Sequence, residues 1–116
     1  MKENIVVDKS FDFAIRIVKL YQYLCKEKKE YILSKQLLRS GTSIGANINE
    51  AQAAESKKDF VAKMSISSKE ARESRYWIKL LIATDYLNAN DVHTQSLLDE
   101  ITELIKLLTS ITKNAN

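Results

Sequence analysis

Ser96-Leu97-Leu98-Asp99-Glu100-Ile101-Thr102-Glu103-Leu104-Ile105-Lys106-Leu107-Leu108-Thr109-Ser110-Ile111 is the stretch whose reading decides the fold class. Leu97, Ile101, Leu104, Leu108 and Ile111 recur at spacings of four, three, four and three, which gathers them on one side of an α-helix, and Leu98 and Ile105 widen the strip. Asp99, Glu100 and Glu103 fall on the outer face, and Asn90 or Asp91 is placed to cap the start. The opposite end of the chain repeats the pattern. Phe11, Ile15, Val18 and Cys25 form one line, with Phe13, Ile17, Leu20 and Leu24 beside it. Asp8 or Ser10 is the expected cap there, and Lys26-Glu27-Lys28-Lys29-Glu30 the polar exit.

The whole composition agrees. The chain has 116 residues with two glycines, no proline, one cysteine and one histidine. Sandwiches and barrels need turn residues every 8–12 positions, and dinucleotide folds need glycine-rich crossings. Neither supply exists, so long helices remain. The length suits one domain spanning residues 1–116, and a 45% hydrophobic content can furnish a core. A formal net charge of +3 permits anionic partners without demanding them. The lone Cys25 cannot close an intramolecular disulfide, Ile5-Val6-Val7 is too short for a signal peptide, and no run is long enough to span a membrane. The expected location is the cytoplasm.

Between the terminal helices, residues 32–54 read as a second helix in spite of Gly41 and Gly45, each of which costs about 1 kcal/mol against alanine inside a helix. Close approach of another helix would explain them. The third helix, 57–87, supplies a small-residue match in Ser67, Ala71 and Ser74, which lie in line with Phe60, Met64, Ile78 and Leu81. Ser56 followed by Asp59 resembles a capping box at its start. Leu87-Asn88-Ala89-Asn90 then reads as a turn. The expected fold is an all-α, antiparallel up-down-up-down four-helix bundle.

The third helix also carries Ile66, Glu70, Glu73, Trp77 and Leu80 on a separate side. A second semi-apolar face holding the only tryptophan points to subunit association, with Ile66, Trp77 and Leu80 as interface candidates, since tryptophan and tyrosine are enriched at interfaces. The alternative is a tryptophan covered by its own neighbours.

Enzymatic readings lack residues. His93, the only histidine, falls on the first turn of the last helix with no triad spacing around it. Two-metal carboxylate bundles need Glu-x-x-His on two helices, whereas Glu70-x-x-Glu73 and Glu100-x-x-Glu103 have no histidine. No catalytic residue, metal ligand or cofactor is assigned. What remains is polar. Antiparallel pairing of the second and third helices sets Arg39 opposite Glu73, Ser43 opposite the Lys69–Glu70 level and Asn47 opposite Ser65. A bidentate, partly buried Arg39–carboxylate pair would fix helix register. Anion or nucleotide binding by Arg39 is the functional alternative.

The cations are patterned too. Lys9, Arg16, Lys19 and Lys26 line the first helix with Tyr23 among them, and Arg72, Arg75 and Lys79 line the third. Such rows are commonly solvated faces. Basic residues with an interleaved aromatic are also what a phosphate-contacting surface uses, and an oligomer would repeat them.

Gln36-Leu37-Leu38-Arg39-Ser40-Gly41-Thr42-Ser43-Ile44-Gly45-Ala46-Asn47-Ile48-Asn49-Glu50 and Lys69-Glu70-Ala71-Arg72-Glu73-Ser74-Arg75-Tyr76-Trp77-Ile78-Lys79-Leu80-Leu81 resemble the signatures of the four-helix bundle proteins encoded in intervening sequences of bacterial 23S ribosomal RNA genes. The two blocks lie in the middle of the chain, between residues 36 and 81. This chain departs from the usual Asn-Ile-Ala-Glu-Gly at Asn49 and Ala51. The resemblance implies a homopentamer, similar in fold to the basic, barrel-like accessory protein of diversity-generating retroelements, which binds nucleic acid and a reverse transcriptase. It implies no catalytic residues. Arg39, Asn47, Glu50, Glu70, Glu73 and Trp77 match the motif, with structural roles expected. Three partner classes follow: a second copy of the chain, RNA or DNA on the basic faces, or a protein docked on a scaffold that touches no nucleic acid.

Overall fold

A computed structural model describes residues 2–115, with side chains from residue 5. Four helices follow one another: α1 (Lys2–Lys26), α2 (Leu33–Ala51), α3 (Lys57–Ala83) and α4 (Val92–Ala115). Each packs antiparallel to the next, and α4 returns against α1, closing an up-down-up-down bundle 44 Å long. The periodic strips of α3 and α4 turn inward as read: Met64, Ser67, Ala71, Ser74, Ile78 and Leu81 are buried on α3, and Leu97, Ile101, Leu104, Ile105, Leu108 and Ile111 on α4. Phe13, Ile17 and Leu24 of α1 and Leu37, Ile44 and Ile48 of α2 complete the core.

Helix ends differ from the sequence reading where no glycine or serine marks them. α1 begins before Asp8 and Ser10, because Val6 is fully buried and Val7 packs beside the core. Ser10 instead turns its hydroxyl to Val7 O at 3.0 Å. α3 stops at Ala83 rather than 87. Asp85 takes φ 68° there, with Asp85 N–H bonded to Ile82 O at 3.0 Å and Tyr86 N–H to Leu81 O at 2.9 Å. This is a Schellman stop with aspartate in the left-handed position glycine usually fills. α2 ends at Ala51, short of 54. Ser56 does cap α3, accepting Asp59 N–H at 3.0 Å, and Asp91 caps α4, accepting His93 N–H at 2.7 Å.

The start of α2 uses a residue assigned above to a polar exit. Glu30 is only 7% exposed, and its carboxylate accepts the backbone N–H groups of Ile32 and Leu33 at 3.0 Å and of Ser34 at 2.7 Å. Three of the donors a helix start leaves without partners are thereby satisfied. Burial alone would raise the Glu30 carboxyl, but those donors, Ser34 foremost, hold it below the usual carboxylate range.

The glycines are explained by α1, not by the small residues of α3. A Cβ at Gly41 would sit 2.9 Å from both Cγ1 and Cγ2 of Ile17, and one at Gly45 would lie 3.4 Å from Ser10 O and Oγ. Across the other seam, Ser67 Oγ donates to Ile44 O at 2.8 Å and Ser74 Oγ to Ser40 Oγ at 2.9 Å. The α2–α3 contact is therefore a serine ladder, and the α1–α2 contact a glycine-permitted one.

Candidate functional site

The polar residues singled out in the middle of the chain separate into one lattice and two local contacts. Arg39 Nη1 donates to Glu70 Oε2 at 3.0 Å and Nη2 to Glu73 Oε2, while the Trp77 indole N–H reaches the same Glu73 oxygen at 2.9 Å. The antiparallel register read from Arg39 and Glu73 holds, with a different geometry. The guanidinium forks across two carboxylates instead of gripping one, and the Arg39 side chain is 51% exposed, so it is not a buried cation. The Trp77 donor first, then Arg39, hold the Glu73 carboxyl below its ordinary value against a partial burial that raises it. Arg39 is correspondingly raised, chiefly by Glu73. Asn47 and Glu50 lie outside this lattice. The Asn47 amide donates to Ser43 O at 2.8 Å within α2, and Glu50 pairs with Lys63 at 3.0 Å.

The lattice joins Arg39, Glu70, Glu73 and Trp77 and fastens α2 to α3. With one guanidinium against two carboxylates, the fork keeps one negative charge in excess. Among the described residues no three His, Cys, Asp or Glu side chains sit together as a metal would require. Cys25 is half-buried, 3.9 Å from Ser34 Oγ.

The two basic rows divide. On α1, Lys9 is 2.8 Å from Glu103, and Arg16 is bound to Glu100, to Ser96 Oγ at 3.1 Å and to His93 O at 3.1 Å. Half of that row therefore ties α1 to α4. Lys19 and Lys26 are exposed with no carboxylate partner among the described residues, and Tyr23 is 44% exposed. On α3, Arg72 Nη2 donates to Thr109 Oγ1 of α4 at 3.1 Å, and neither it nor Arg75 nor Lys79 meets a carboxylate among the described residues. Thr109 lies on one exposed line of α4 with Lys106 and Lys113, so the Arg72–Thr109 contact sets that line beside the α3 row. Neither Lys106 nor Lys113 belongs to the two basic rows read from the sequence.

The apolar surface is not where α3 alone suggested. Trp77 and Leu80 are half-buried in their own bundle, with Tyr76 set edge-on to Trp77 at 5.1 Å, and Ile66 is exposed by itself. The larger exposed row is on α1, where Phe11 (66%), Ile15 and Val18 point away from the core. Of the two apolar lines of α1, Phe13, Ile17 and Leu24 are buried, while Phe11, Ile15 and Val18 form the outer face.

Fold and site together define a charged, all-helical bundle whose internal polar groups serve helix register, with unmatched cations and apolar side chains on its outside. Residues 2–110 match the 23S rRNA-intervening sequence protein family, and the chain belongs to it. It is similar to a crystal structure of a protein of unknown function from the S23 ribosomal protein family of Bacteroides thetaiotaomicron VPI-5482. That likeness is 53% in identity, covers 97% of this chain and 99% of the other, and has a TM-score of 0.93. A comparison with curated proteins gives no match. No helix among the described residues is long and apolar enough to cross a membrane.

Proposed function

We propose that the chain is a non-enzymatic cytoplasmic homo-oligomer, a pentamer, that holds RNA or DNA against the basic face of α3 and α4. The observation that carries this reading is the row Arg72, Arg75 and Lys79, continued across the helix pair by Lys106 and Lys113, with no carboxylate partner among the described residues. Lys9, Arg16, Arg39 and Lys63 are each matched to a carboxylate. Asp99 is the acidic residue at one end of that α4 line. Unneutralised cations along two adjacent helices suit the regular charges of a phosphate backbone. Self-association is supported by Phe11, Ile15 and Val18, whose exposure on one line of α1 leaves an apolar strip for a neighbouring copy. The number five is what the family resemblance implies, and repetition of the basic face would multiply a weak attraction per chain.

The same α1 strip favours a second reading, a scaffold that docks a partner protein and leaves nucleic acid untouched. Fluorescence anisotropy with a labelled RNA hairpin and a DNA duplex, on protein whose oligomeric mass is measured by native mass spectrometry, separates the two. Binding that weakens steeply between about 50 and 200 mM salt, and that Arg75→Glu/Lys79→Glu/Lys106→Glu removes, supports the nucleic-acid reading. Absence of binding at low salt from an assembled oligomer supports the scaffold.

A further inference from the structure

We propose that a pocket between the upper half of α1 and the α3–α4 connector binds a nucleoside monophosphate unit. Lower in the bundle, the Lys9–Glu103 and Arg16–Glu100 pairs clamp α1 to α4. Above Arg16 the connector after Asp85 enters between the helices, and a cavity of about 550 Å³ opens. That lies within the ordinary range of small-molecule sites. It is a different surface from the α3–α4 basic face, and the inference does not depend on that face.

Three features of the lining select the ligand. Leu20, Leu87 and Leu97 form an apolar floor, and Tyr23 and Tyr86 add two aromatic rings. A flat heteroaromatic base fits such a surface, because every base has a face that stacks on an aromatic. Lys19 and Lys28 stand at the rim, exposed and with no carboxylate partner among the described residues, as an anionic group requires. Finally, Thr94 lines the wall with no hydrogen bond to any described residue, and since no buried side-chain oxygen among the described residues lacks a partner, its hydroxyl is open to solvent and free to bond a ligand.

The remaining charges narrow the choice. The donors of Arg16 are spent on Glu100, Ser96 and the His93 carbonyl, so Arg16 supports the pocket instead of gripping a ligand. Asp85 and Asp91 line the pocket as well, and the Asp91 carboxylate already caps α4. Two carboxylates beside two free lysines disfavour a polyphosphate and accommodate a single phosphate, with the sugar hydroxyls able to donate to Asp85. The left-handed backbone at Asp85, held by the Schellman bonds, sets that side chain in the wall without a flexible hinge. Inorganic phosphate alone would leave the leucine and tyrosine surface unused.

The unit can arrive as a free nucleotide or as the 5′-phosphorylated end of a single strand, and calorimetry distinguishes them. Adenosine 5′-monophosphate, adenosine, inorganic phosphate and a 5′-phosphorylated octanucleotide would each be titrated into wild type, Lys19→Gln/Lys28→Gln and Tyr23→Ala. Saturable binding of one monophosphate or one strand end per chain is expected, at least tenfold weaker for adenosine and in both variants, with circular dichroism unchanged. Arg75→Gln/Lys79→Gln should bind the mononucleotide as wild type does, which keeps this result separate from that of the α3–α4 face. Binding of the mononucleotide identifies the free ligand, and binding of the strand alone identifies the end. Failure of both, or binding unaltered in the Lys19/Lys28 and Tyr23 variants, overturns the proposal.

Discussion

Replacing Gly41 by alanine should destabilise the protein although it removes a helix-breaking residue. In the middle of α2 the change relieves about 1 kcal/mol of helix propensity. Against it stands the 2.9 Å approach of the new Cβ to both γ carbons of Ile17, whose side chain is fully buried. A β-branched side chain cannot turn both γ carbons away by one rotation, so α1 must shift or Ile17 must leave its rotamer. Overpacking of this kind costs about 1–3 kcal/mol, and contact with both γ carbons of a fully buried side chain puts Gly41 toward the upper end, leaving a net loss of up to about 2 kcal/mol. Gly45 provides the internal control. Its added Cβ would meet Ser10 at 3.4 Å, near ordinary contact, so Gly45→Ala should be neutral or stabilise by up to about 1 kcal/mol. Urea unfolding followed by Trp77 fluorescence reads both, at one fixed protein concentration so that the proposed self-association contributes equally to each. Adding Ile17→Ala to Gly41→Ala should recover part of the loss relative to Ile17→Ala alone. The argument fails if Gly41→Ala is as stable as wild type, or if the two glycines behave alike.

Other outcomes follow from single contacts. Glu30→Gln should cost about 1–2 kcal/mol at pH 7, as a lost helix cap does. Because the folded carboxyl lies below its unfolded value, its contribution is complete above about pH 4.3 and is lost as pH falls through the folded value. The gap between variant and wild type should therefore close in urea melts taken toward pH 3, and a gap that widens on acidification contradicts the cap. The emission of Trp77 should titrate with Glu73, with a midpoint below the ordinary carboxylate range, and should lose that transition in Glu73→Gln. Persistence of the transition would assign it to another group. Phe11→Glu/Ile15→Glu should reduce the mass seen by sedimentation velocity to that of a single chain while preserving helix content. An unchanged mass would move the contact off α1.

The strips of α3 and α4 were legible because each helix buries one face against neighbours on both sides, which makes the 3.6-residue period clean. The α2–α3 register was legible because two antiparallel helices joined by a short turn have little freedom to slide, which sets Arg39 against Glu73. On α1 two apolar lines compete, and no local property says that Phe13 and Ile17 go in while Phe11 and Ile15 stay out. That choice is made by Gly41, which admits Ile17 from another helix. The stop of α3 was missed because aspartate at position 85 does the work that glycine would have announced. The cap at Glu30 was missed because glutamate reaches back to a helix start only when the preceding turn aims it, here with Lys29 at φ 56°. For the candidate surface, composition showed the two basic rows equally. Only the α1–α4 packing revealed that Lys9 and Arg16 are consumed by Glu103 and Glu100, and only the Arg72–Thr109 contact set the Lys106 and Lys113 line of α4 beside the α3 row.

The dependence of RNA affinity on salt, compared between wild type and Arg75→Gln/Lys79→Gln, tests the proposed function most directly. If α3 and α4 hold the phosphate backbone, the variant should bind more weakly, and its slope of log affinity against log salt should be shallower by about one for each cation removed. An unchanged slope with unchanged affinity would show that these cations face only water, and the nucleic-acid reading of this bundle would be wrong.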